Sequence, residues 1–176
     1  MTATLILIDL QQGLLHPIYW GGALSSGNVP DKARSLLAHW RERGWPVHHV
    51  FHDSTTPESE LHPSKPGNAP IAGLEPKAGE SVYRKSVNSA FIGTMLEGDL
   101  RAAGERELVI CGLTTNHCVS TSTRMAGNLG FAVRLVGDAC AAHAQGGFDA
   151  ATIHAVSLAN LDGEFCEVVT TESLLS

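Results

Sequence analysis

The chain has 176 residues, 43% apolar and 17% charged, the make-up of a soluble globule with room for one sizeable core. Its formal net charge of −6 disfavours nucleic acid or an anionic membrane surface, since both would repel it, and leaves a small molecule as the expected partner. Four cysteines without a C-x-x-C pair argue against a zinc knuckle or disulfide framework and suit a reducing, cytoplasmic setting, and no apolar run approaches membrane-spanning length.

Ala3 to Ile8 is a continuous β-favouring run ending on Asp9, the pattern of a strand buried on both faces of a parallel sheet. A loop rich in glycine and aromatic residues follows (His16, Tyr19, Trp20). Pro30-Asp31 then opens an amphipathic helix with Ala33, Leu36, Leu37 and Trp40 at helical spacing, closed by Gly44. Val47 to Phe51 reads as the second strand. From Ser54 to Gly79 the chain is proline-rich and aperiodic, a length that marks a lid or pocket wall, and Thr56 to Pro76 is the candidate for a lid or a subunit interface. Ser81 to Lys85, Glu107 to Cys111, Phe131 to Val136 and Phe165 to Val169 supply four more strands. Met95 to Ala103, Asn116 to Leu129 and Gly147 to Asn160 supply the helices between them.

This order predicts one α/β domain over residues 1–176, a three-layer αβα sandwich around an open, mainly parallel six-stranded sheet of Rossmann-like form. Ligands bind such sheets beyond the carboxyl ends of the strands. Asp9, Asp53, Lys85, the loop from Gly112 to His117, and Asp138 all fall at strand ends, so they are expected to share one rim.

Cysteine is usually inert packing, and Cys111 and Cys166 fit that reading. Cys118 instead follows a tight Gly-Leu-Thr-Thr turn and opens a helix, where the positive helix end would favour its thiolate. A thiol nucleophile needs a proton acceptor and a cation to steady the anion. Asp9 and Lys85, each unremarkable alone, supply both if they sit at the ends of adjacent strands.

With these residues in view, the sequence resembles the isochorismatase-like cysteine hydrolases, which include nicotinamidases and N-carbamoylsarcosine amidohydrolases. The matching stretches are Leu7-Ile8-Asp9-Leu10-Gln11, Tyr83-Arg84-Lys85 with Ser89-Ala90-Phe91, and Gly112 to Val119. The resemblance implies a triad of Asp9, Lys85 and Cys118 and a cis peptide between Leu113 and Thr114. It also implies an oxyanion hole from the backbone N–H groups of Thr114 and Cys118, each donor contributing about 3 kcal/mol in acyl transfer. It implies a thioester route for hydrolysis of a small amide or related C–N carbonyl compound, and a homo-oligomer with a neighbouring subunit near the pocket.

Nicotinamidases carry an Asp-x-His pair and a further His as metal ligands. Here the order is reversed, His52-Asp53, with His62 farther on, so neither a metal nor another cofactor is expected. His48 and His49 alternate faces of a strand and cannot share an ion. Gln11, His16, Tyr19, Trp20, Phe91, His117 and His143 are candidate pocket residues. Two other functions fit less well: an isochorismatase-type ether or ester hydrolase, and a catalytically idle metabolite-binding relative.

Overall fold

A computed structural model describes residues 3–176. Six parallel strands form the sheet: β1 (Thr4–Ile8), β2 (Val47–His52), β3 (Ser81–Lys85), β4 (Glu107–Leu113), β5 (Ala132–Ala141) and β6 (Glu167–Val169). Their spatial order is β3-β2-β1-β4-β5-β6, so the chain reverses its direction of travel across the sheet between β1 and β4. Every residue of β1 is buried, as its run of apolar and β-branched side chains dictates for a central strand. Helices α1 (Val29–Glu42), α2 (Leu96–Ala102), α3 (Ser120–Asn128), α4 (Ala150–Ala159) and α5 (Thr171–Leu175) flank the sheet in a three-layer sandwich.

Helix α1 buries Val29, Ala33, Leu36, Leu37 and Trp40, and the Trp40 indole donates to the Ala3 carbonyl at 2.8 Å, fastening the helix to the start of β1. Gly112, with φ 142°, lies against β1 so closely that any Cβ there would land on the Ile8 carbonyl. Only glycine permits that approach.

Three elements depart from the sequence reading. β5 does not stop at Val136: the ladder to β4 shifts register between Ile110 and Gly112, and Gly112 and Leu113 pair with Cys140 and Ala141. A bulge through Gly137-Asp138 thus carries the strand on where those residues read as its end. The helix expected from Asn116 begins with a π-helical turn, Thr115–Val119, before α3. α5 was not anticipated; its Thr170 hydroxyl caps the Ser173 N–H at 3.3 Å. Among the described residues, no helix is long and apolar enough to cross a membrane.

Candidate active site

The Lys85 ammonium donates to Asp9 Oδ2 at 2.7 Å, and both side chains are almost wholly buried. Asp9 leaves β1 with φ 50°, a left-handed conformation that aspartate tolerates better than most residues. Its N–H is held by the Val50 carbonyl at 2.8 Å. Lys85 ends β3, which is not the neighbour of β1. β2 lies between them, and its last residue, His52, pairs in register with Lys85. The four-carbon lysine stem therefore spans a strand to reach the carboxylate, and on the way its ammonium meets His52 Nδ1 at 3.1 Å. Cys118 sits in the turn after β4, on the other side of β1. One donor atom each of Asp9, His52 and Cys118 lie within 4.8 Å of one another. The Leu113–Thr114 peptide in that turn is cis.

Burial pushes the Asp9 carboxyl above its usual range, and the Lys85 charge opposes that rise without cancelling it. Its Oδ1 is buried with no hydrogen-bond partner. Burial, reinforced by the Asp9 carboxylate, pushes the Cys118 thiol up to about 12. The pull of a helix end toward the thiolate is opposed here by the cost of desolvating the anion. At rest the sulfur keeps its proton and faces a carboxylate able to take it. His52 is lowered by burial and by Lys85, which keeps it neutral with Nδ1 as acceptor.

Cys118 and Asp9 open into a cavity of about 490 Å³ at the reversal between β1 and β4. Of the anticipated pocket residues, Tyr19, Trp20, His117 and His143 line it. Trp20 stacks on His143, whose two ring nitrogens face the carbonyls of Gly22 and Leu14 at 2.9 and 3.1 Å. Gln11, His16 and Phe91 lie outside the lining. Gln11 is fully buried and bonds both backbone groups of His52, extending the β1–β2 contact past the strand end. His16 accepts from the Tyr19 N–H within its own loop, and Phe91 stacks on Phe131 in the core.

An isochorismatase domain model matches residues 3–173. The chain belongs to the isochorismatase family. It is 41% identical to the isochorismatase family protein YrdC of Bacillus subtilis, over 98% of this chain and 94% of that protein. A ureidoacrylate amidohydrolase of Variovorax paradoxus is 34% identical over 60% of this chain and 40% of its own length. A crystal structure of an isochorismatase-family hydrolase from Chromobacterium violaceum superposes with TM-score 0.94 at 44% identity, covering 99% of this chain and 92% of that one.

Asp53 is taken by Arg84 at 2.6 Å and Asn68 at 3.0 Å, while His62 meets Ser64, so neither converges with His52. Of the cluster formed by Asp9, His52 and Cys118, two members already accept from Lys85, and an ion held by all three would have to displace that ammonium. Asp138 also leaves the expected rim: the β5 bulge turns it toward Lys32 and Thr171. His48 and His49 face Glu105 and Glu80 on opposite sides of the sheet.

Sequence reasoning missed Asn88 and Gln145, which line the cavity, and the contact of His52 with Lys85. Asn88 Oδ1 lies 3.9 Å from Cys118 Sγ. The contact of His52 with Lys85 depends on β2 lying beside β3, which the sequence does not display. The segment after β2 contributes Ser54, Thr56, Ser59 and Leu61, so part of the proline-rich stretch is pocket wall. Asn68 pins it through the carbonyls of His52 and Leu61.

Proposed function

We propose that this isochorismatase-family hydrolase cleaves the C–N bond of a small amide or related carbonyl compound, with Cys118 as nucleophile. The observation that carries the reading is a buried Asp9–Lys85 pair beside the Cys118 thiol, with one carboxylate oxygen unpartnered. Asp9 takes the thiol proton as sulfur attacks the carbonyl, and Lys85 balances the charge that would otherwise accumulate in a buried site. The backbone N–H groups of Thr114 and Cys118 receive the oxyanion. Asp9 passes its proton to the leaving nitrogen, and water then hydrolyses the thioester with Asp9 again as base. The amidohydrolase relative supports the choice of C–N chemistry.

Assembly belongs to the same proposal. α4 carries no Asp, Glu, Lys or Arg, buries none of its residues, and exposes Val156 with Phe148 just before it. We assign the contact between subunits in a homo-oligomer to this face rather than to the segment from Thr56 to Pro76. Four free thiols suit a reducing, cytoplasmic setting.

The test is intact-protein mass spectrometry after rapid quenching with small amides and ureas. An acyl adduct on Cys118 that forms and decays at the turnover rate is the expected result. Undiminished turnover in Cys118→Ala would refute the mechanism.

A further inference from the structure

The charge of the pocket wall speaks to the substrate itself, on the premise that Cys118 is the acyl acceptor. Among the described residues of this chain, no lysine or arginine lines the cavity. The nearest ammonium, that of Lys85, is buried and committed to Asp9 and His52 at 2.7 and 3.1 Å. His52 faces that cation and is not a second one. Asp9, the sole acidic side chain in the lining, is compensated by the same ammonium.

What remains is uncharged hydrogen-bonding capacity from Thr56, Ser59, Asn88, Asn116 and Gln145, set among apolar side chains. His143 faces a carbonyl with each ring nitrogen, an arrangement that only the doubly protonated ring satisfies in full; both N–H groups are then committed to those carbonyls and neither is left for a ligand. His117, exposed at the mouth, is the remaining imidazole, so its contribution has to be removed in the test.

We infer that the site selects uncharged amides or ureas with a partly apolar, hydrogen-bonding tail, and discriminates against substrates whose tail carries a carboxylate or an ammonium. A charged tail entering a cavity of this size would be desolvated without a partner, which costs more than the neutral amide and hydroxyl groups return. An uncharged tail meets donors and acceptors that match it.

The experiment uses three ligands of one chain length: butyramide, succinamate and 4-aminobutanamide. Binding is measured by calorimetry or ligand-observed NMR to Cys118→Ala, which cannot turn over, and ammonia release is measured with wild type and His117→Gln. Butyramide is expected to bind, and to react, about tenfold or more better than either charged analogue, in both active proteins. Thr56→Arg and Gln145→Arg, on different walls, should each raise the succinamate-to-butyramide ratio. Equal binding, preference for a charged ligand, or no binding of butyramide overturns the inference. If Cys118→Ala shows the preference while wild type turns nothing over, the charge selection stands and the catalytic reading falls.

Discussion

Two ion pairs flank the third strand, and they are built in opposite ways. Glu80, just before β3, accepts from Arg41 Nε at 2.6 Å, Arg41 Nη2 at 2.9 Å and the Lys77 N–H at 2.8 Å, and meets His49 Nε2 at 2.8 Å. So many donors hold its carboxyl down to about 2 despite partial burial. Asp9, at the other end of the strands, has Lys85 on one oxygen and nothing on the other, and burial pushes its carboxyl upward. A saturated carboxylate is committed to its charge and fastens α1 to the sheet edge. An unsaturated one in the same fold is left able to exchange a proton.

The largest expected effect lies at the unsaturated pair. Cys118→Ala should lower kcat/KM by about 10⁴-fold or more while costing no more than about 1 kcal/mol in urea unfolding, since the side chain is only partly buried against the core. Lys85→Met leaves Asp9 buried without its cation. It should destabilise by about 3–5 kcal/mol in urea unfolding as well as abolish turnover, and a loss under 1 kcal/mol would contradict the charge balance assigned here.

Glu80→Gln should behave oppositely, costing about 2–3 kcal/mol of stability with kcat/KM altered less than about threefold. Acid titration separates the pairs further. A carboxyl depressed on folding contributes stability that is complete above its ordinary 4.5 and is lost as pH falls through about 2. Asp9 is raised, so the basic form needed for turnover is lost at higher pH than an ordinary aspartate would allow. Activity should therefore fall before circular dichroism reports unfolding, leaving a window of folded, inactive protein. Coincident loss of both would break the contrast. The smallest effect is that of Thr115→Val, which removes the 2.8 Å contact with His154 on α4 and should cost about 1 kcal/mol in urea unfolding.

The sheet was legible because β1 and β4 are uninterrupted apolar runs that suit only central strands. The motif stretches around Asp9, Lys85 and Cys118 were legible as strand ends. That Lys85 must cross β2 was not, since strand order is a property of tertiary packing and no residue announces it. For the same reason His52 was weighed only with Asp53 and His62 as a metal ligand, and not as a partner of Lys85. Gln11 and Phe91 looked like pocket residues by their nearness to the motifs, yet buried polar and aromatic side chains serve the frame equally well. Gly137-Asp138 carried an ordinary turn signal, and only the register with β4 reveals the bulge.

Gly112 separates two kinds of heritable change. Because the backbone of β4 rests directly on Ile8, the spacing between Asp9 and the turn bearing Cys118 is fixed by main-chain contact and is insensitive to side-chain replacement elsewhere. The walls come from other places, chiefly the segments after β2 and β5. Laboratory evolution toward new amides can therefore randomise Thr56 or Gln145, while a library that includes position 112 should return only glycine among its active members.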